Sequence, residues 1–144
     1  MRKIRVKNYE DVYIGEYPLH KQLKDELVPL LEKYPDQHDR KTNVKATMTE
    51  WDWNPESVRL KRLKNNILEF VNYNYAFRRG SNPKKDRYYM RDFWGNIYRK
   101  GDYTKPHNHI PSILSFVYFL KTKWYHSPLV FNLHILKYLF YIND

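Results

Sequence analysis

The sequence predicts an α+β fold, in which two N-terminal helices pack outside a partial jelly roll, or double-stranded β-helix. Apolar residues recur at helical spacing twice in the first half of the chain, and the second half is a series of closely spaced strand patterns. Helices followed by strands are typical of α+β domains, and many short strands favour two packed sheets. The chain has 144 residues, which is enough for one core, so we expect a single domain over residues 1–144.

The first elements are strands and an amphipathic helix. Residues 4–6 and 12–14 carry β-branched and aromatic side chains and are predicted to be short strands. Leucines then recur at a helical period, which predicts a helix over about residues 18–33, with Pro29 kinking it or ending its regular part. Apolar and polar side chains alternate over residues 43–49, as expected for a half-buried strand.

A second helix is predicted to start at Asn54, which is a good N-cap, with Pro55 at the first helical position. Its buried stripe comprises Leu60, Leu63 and Ile67. Beside that stripe lie four basic residues, which we expect to form a solvated helix face: Arg59, Lys61, Arg62 and Lys64.

Strand patterns dominate the chain after this helix. The longest is the aromatic-rich segment 87–98. Residues 113–120 are almost wholly apolar, which predicts a strand buried on both faces, and residues 129–131 predict another short strand.

Composition bounds the partners and the chemistry. A net charge of +10 makes a nucleic-acid partner possible through the basic segments 59–64 and 78–85, but we favour the ordinary interpretation, in which the first is a solvated helix face and the second a turn-rich loop. The absence of cysteine excludes disulfides, thiolate metal ligands and a cysteine nucleophile. The basic N-terminal residues are not followed by an apolar stretch, so we do not expect them to be a secretory signal. No apolar run reaches the ~20 residues of a membrane span. We therefore expect a soluble, cytoplasmic protein.

The most informative segment carries two histidines, His107 and His109. Side chains two residues apart on extended backbone share a face, so both imidazoles are expected to reach one metal ion. A turn at residues 100–102 precedes them, and Asp102 is expected to shape this turn rather than to bind the metal.

These residues also carry a resemblance. The chain is similar to a family of 2-oxoglutarate/Fe(II)-dependent oxygenases common in phages and marine bacteria, over roughly residues 43–131. The matching positions are Trp94, Asn96, Gly101, His107, His109, Leu114, Ser115, Val117, Tyr118 and Leu120, with a weaker match at residues 48–51.

The resemblance implies Fe(II) as cofactor and 2-oxoglutarate as co-substrate. It implies that His107 and His109 are metal ligands, with His109 at the position that an acidic residue occupies in the wider superfamily. It also implies that Tyr98 helps to bind the co-substrate, and Ser115 and Tyr118 on the next strand either face the same cavity or serve in packing. A phage-encoded protein acting in the cytoplasm of the host cell fits this resemblance.

The family pattern is not followed in residues 132–144. The family continues with strands that bring a distal histidine and then an arginine, and nothing here matches them; His126 and His134 are nominal substitutes. We therefore expect a domain incomplete at its C-terminus that does not turn over 2-oxoglutarate by itself. Two alternatives stay open, a catalytically idle remnant of the same fold and a basic nucleic-acid-binding module. The substrate is not identified by the sequence.

Overall fold

A computed structural model describes residues 2–6, 10–35, 43–75, 80, 82, 87–123, 125–126, 129 and 138–141. Its elements follow this order along the chain: β1 (Arg2–Val6), β2 (Glu10–Gly15), α1 (His20–Leu31), β3 (Val44–Lys45), β4 (Thr47–Met48), α2 (Val58–Glu69), a π-helix (Phe70–Tyr75), β5 (Asn96–Ile97), β6 (Tyr103–Thr104), β7 (Ser115–Tyr118) and β8 (Tyr138–Tyr141).

The largest sheet has four strands in the order β1-β2-β8-β7. β1 and β2 form an antiparallel hairpin, whereas β8 runs parallel to both β2 and β7. Tyr138 is level with Val12 on one side and with Ser115 on the other. The strand from the tail therefore links the N-terminal hairpin to the segment that follows the two histidines.

A second β-unit positions the histidine segment. The chain from Asn43 to Thr49 runs antiparallel to residues 95–105, through the pairs β3–β6 and β4–β5. Lys105 N donates to Asn43 O at 2.7 Å at one end, and Thr49 N donates to Gly95 O at 3.1 Å at the other. Between β5 and β6 the chain leaves this ribbon for residues 98–102, which form the turn described below.

The core lies between the two helices and the four-stranded sheet. Tyr13 and Tyr17 come from the sheet side, and Tyr13 meets Phe70 edge to face with ring centroids 5.1 Å apart. The helices contribute fully buried leucines and one isoleucine: Leu23, Leu27, Leu31, Leu60, Leu63 and Ile67. The helical periodicity of the sequence is thereby confirmed, and Pro29 lies inside α1 two residues before its end.

The predicted mixture of helix and strand, with two helices, is confirmed. A jelly roll or double-stranded β-helix is not present in the described part of the chain, where the largest sheet is mixed. No helix in that part is both long enough and apolar enough to span a bilayer.

Three local predictions were wrong for identifiable reasons. The alternation over 43–49 fails because residues 46–49 are all buried, so that side chains on both faces of this segment are removed from solvent. α2 begins after Ser57, whose hydroxyl accepts from Leu60 N at 3.0 Å, so Asn54 is not the cap. Segment 87–98 forms only β5 and a single bridge, Asp52 with Phe93, because its aromatic side chains pack on the core while its backbone stays irregular.

Other predictions are met only in part. The strand predicted over 113–120 shortens to β7, and its four residues are half-buried rather than buried. Leu129 is not in a strand, and the remainder of the predicted strand 129–131 lies outside the described residues.

Candidate metal centre

A tight turn places the histidine segment. Arg99 N donates to the Asp102 carboxylate at 2.7 Å, and Asp102 N donates back to Arg99 O at 3.0 Å. Gly101 adopts a φ of +89°, a left-handed conformation that a side chain disfavours. The Arg99 guanidinium also donates to the hydroxyl of the buried Thr47, which fastens the turn to the ribbon. Asp102 thus shapes the turn, as the sequence predicts.

His107 and His109 lie between β6 and a second turn, which Ser112 N closes by donating to His109 O at 2.7 Å. Their ring centroids are 4.8 Å apart, with the planes at 71°. The backbone here is not part of a strand, but the two-residue spacing still brings the imidazoles into contact. His107 is exposed and His109 is half-buried.

One hydrogen bond fixes the tautomer of His107. Its Nδ1 lies 2.8 Å from Lys105 O, and because a carbonyl oxygen can only accept, Nδ1 must be the donor. In the neutral ring the lone pair is therefore on Nε2. A backbone carbonyl in this role is the usual outer partner of a metal-binding histidine.

His109 packs against an aromatic wall formed by Trp94 and Trp51, which was not predicted from the sequence. The Trp94 ring lies 5.7 Å from the His109 ring, and Trp51 packs on Trp94 at 5.2 Å. Trp51 remains 51% exposed, so the wall runs from the surface to the histidine pair. Both tryptophans are among the residues that carry the resemblance to the oxygenase family, but no rule of sequence spacing connects position 51 with position 94.

Burial lowers the pKa of His109, and the neighbouring His107 lowers it further, while the Asp92 carboxylate acts in the opposite direction. A lowered pKa keeps the imidazole neutral at pH 7. A neutral imidazole is the form that binds a metal ion.

The three residues predicted for the co-substrate have separate environments. The Tyr98 hydroxyl bonds the Thr104 hydroxyl across the turn, and burial raises the pKa of Tyr98 despite this bond. The Tyr118 hydroxyl lies 2.8 Å from His20 Nδ1 on α1. Ser115 and Tyr118 are three residues apart on β7, so their side chains leave opposite faces of the sheet.

A third ligand is not found in the described ranges, which contain no group of three or more His, Asp or Glu side chains able to hold one ion. His126 is occupied in a local turn, where its Nδ1 accepts from Lys123 N at 3.3 Å. His134 lies outside the described residues. The structure therefore brings together the two predicted ligands and adds none.

The basic face of α2 is only partly as predicted. Arg59, Lys61 and Arg62 are exposed, and Arg59 pairs with Glu26 at 3.1 Å. Lys64 is only half-buried: its ammonium lies 4.1 Å from the centroid of the Phe93 ring and also donates to Asn54 Oδ1, and burial lowers its pKa. The prediction for Lys64 is therefore met only in part, because Phe93 packs beside the apolar stripe. Apart from Gly80 and Asn82, the basic segment 78–85 lies outside the described residues.

Comparisons of the chain with models of protein families, with curated proteins and with solved structures gave no match.

Proposed function

We propose that this chain is a 2-oxoglutarate/Fe(II)-dependent oxygenase domain in which His107 and His109 are two of the metal ligands. The observation that supports this proposal is the contact between the two imidazole rings, whose centroids are 4.8 Å apart. In addition, Nδ1 of His107 donates a hydrogen bond to a backbone carbonyl. A pair of imidazoles with a fixed tautomer suits Fe(II).

The donors fit the metal in part. Non-haem Fe(II) sites of this kind use three protein ligands on one face of the ion, and the described residues supply two. When bound, the iron would activate dioxygen, with 2-oxoglutarate supplying electrons. The roles of this chain's own residues are narrower: His107 offers Nε2, and Trp94 restricts the ring of His109.

The finer parts of the proposal are the fold and the co-substrate site. We propose a partial double-stranded β-helix, for which the antiparallel pairs β3–β6 and β4–β5 provide the two-stranded starting unit. Tyr98, beside the histidine segment, is the first candidate to contact 2-oxoglutarate. Ser115 and Tyr118 are further candidates, but because their side chains leave opposite faces of β7 only one of them can line the same site. A cytoplasmic location and a phage origin also belong to this proposal.

The test is anaerobic titration of the untagged chain with Fe(II), followed by addition of 2-oxoglutarate. We expect binding of one Fe(II) per chain and a visible charge-transfer absorption when the co-substrate is added. His107→Ala should abolish both signals, whereas His126→Ala is the matched control because His126 is engaged in its own turn. Absence of binding, or equal binding by His107→Ala, would refute the proposal.

Turnover is a separate measurement. Succinate release in air should stay at background, because two imidazoles hold Fe(II) weakly and a third ligand is not present among the described residues. Succinate release that depends on His107 would show that residues outside the described ranges complete the site.

Nucleic-acid binding is the alternative function, and its support comes from the net charge of +10. The helix face is a poor phosphate site, since Arg59 is paired with Glu26 and Lys64 lies over Phe93. Salt-dependent binding to single- or double-stranded nucleic acid that is lost in Lys61→Glu/Arg62→Glu would favour this alternative.

A further inference from the structure

The exposed position of the histidine pair carries a second inference. His107 is exposed on the surface, and the loop that follows it is open to solvent: Ile110 and Ile113 are 64% and 58% exposed. A metal ion held by His107 and His109 would therefore keep its remaining coordination positions on the solvent side, where another molecule can reach them.

The pair is also held in place before any ion arrives. His107 is fixed by its hydrogen bond to Lys105 O at 2.8 Å, and His109 is fixed by Trp94 at 5.7 Å between ring centroids. Ligands that are already ordered lose little conformational entropy on binding. The described part of the chain nevertheless offers the ion only two donors.

We infer that a Zn²⁺ ion joins two copies of this chain through His107 and His109 of each. Zn²⁺ prefers four ligands in a tetrahedron, and two imidazoles from each of two chains supply that number. The same patch used by both copies gives a two-fold symmetric contact with the ion on the axis. The Nε2 of His107 is directed to this role by the hydrogen bond on its Nδ1.

Zn²⁺ is borderline-soft and has no redox chemistry in this role, so the ion here is structural. The inference uses the same histidines as the proposed iron site, but it requires no oxygenase activity. Within the described residues one copy offers two ligands, and a second copy offers two more.

The positive charge of the chain opposes this association, so the salt dependence of dimerisation distinguishes it from association through nucleic acid. Each chain has a net charge of +10, so two copies repel each other. Added salt screens this repulsion, and we expect Zn²⁺-dependent dimerisation to strengthen as NaCl rises. Association through nucleic acid would weaken over the same range.

The experiment uses the full chain without a polyhistidine tag, purified in chelator and then transferred to metal-free buffer. Sedimentation velocity with increasing Zn²⁺ should show the 17.8 kDa species converting to one of twice that mass, saturating at one ion per two chains. A chelator should reverse the change. His107→Ala and the milder His107→Gln should remain monomeric, and His126→Ala should dimerise as the parent does.

A second readout locates the ion. Trp94 lies beside His109 and Trp51 beside Trp94, so paramagnetic Co²⁺ or Cu²⁺ at the site should quench tryptophan fluorescence. Trp94→Phe should reduce this quenching.

The outcomes separate this inference from the proposed function. A dimer with half an ion per chain supports the inference. Monomeric binding of one Zn²⁺ per chain overturns it and leaves the proposed iron site intact. No binding of Zn²⁺ overturns the inference, and if Fe(II) also fails to bind, the proposed function is refuted as well.

Discussion

The helical core and the histidine segment differ in what holds them. In the core, Leu23 and Leu60 are 0% and 1% exposed, and their positions are set by packing. In the histidine segment, backbone hydrogen bonds at Asp102, Lys105 and His109 set the geometry, and most side chains are exposed. The difference indicates that the residues that stabilise the fold and the two candidate metal ligands are separate, so that each set can be altered independently.

The largest effect should come from the core. Leu23→Ala removes a fully buried side chain, and we expect the free energy of unfolding to fall by ~2–5 kcal/mol. His107→Ala is the matched change in the exposed segment and should shift it by less than ~0.5 kcal/mol. Urea unfolding followed by circular dichroism measures both. A cost at His107 comparable to that at Leu23 would show that the two regions are not separable.

The second effect tests where the two regions meet. A Cβ at Gly95, in the ribbon, would overlap Leu31 Cδ2 at the end of α1, so Gly95→Ala should cost ~1–3 kcal/mol. Combining it with Leu31→Ala removes the overlap, and the double variant should be more stable than the sum of the single costs predicts. Strict additivity would mean that α1 and the ribbon do not touch at this point.

A smaller effect is expected at the start of α2. Ser57→Ala removes the cap of Leu60 N and should cost ~0.5–2 kcal/mol, whereas Ser57→Thr should retain most of the stability. Asn54→Ala is the control, since Asn54 accepts only from the Lys64 ammonium at 3.2 Å, and should cost less than ~0.5 kcal/mol. A larger loss of stability in Asn54→Ala than in Ser57→Ala would show that Asn54, rather than Ser57, is the N-cap of α2.

The smallest effect concerns pH. Burial lowers the pKa of His20 from its ordinary value of 6.5, and the charge of Lys24 lowers it further. Below pH 6.5, His20 is therefore protonated to a greater extent in the unfolded chain than in the folded chain. The free energy of unfolding consequently falls as the pH drops below 6.5. His20→Asn should reduce this loss between pH 7.5 and 5.5, and Lys24→Gln should reduce it in part. Because the pKa of His109 is lowered too, some loss should remain.

Local patterns predicted the two helices, because Leu23, Leu27, Leu60 and Leu63 recur at a period that depends only on the helix itself, and they predicted strands near the N-terminus. Non-local features were not predicted. The pairing of β1 with β2, the burial of residues 46–49 and the place of β8 between β2 and β7 all depend on tertiary structure.

The candidate site divides in the same way. A spacing of two residues was enough to predict the contact between His107 and His109. The Trp51–Trp94–His109 wall joins positions distant in sequence, so no local rule could reveal it. The hydrogen bond between the Tyr118 hydroxyl and His20 on α1 likewise joins positions distant in sequence, and no local pattern predicted it.

The central place of β8 has a consequence for synthesis on the ribosome. β2 leaves the ribosome well before β8, the last of the described elements, yet they are neighbours in one sheet. The hairpin and the helices can assemble early, because their contacts are closer in sequence. β7, which follows the histidines, acquires its partner only after residues 138–141 have left the exit tunnel. Such long-range pairing is a slow step in folding. Of the described strands, β7 is therefore expected to be among the last to reach its final environment.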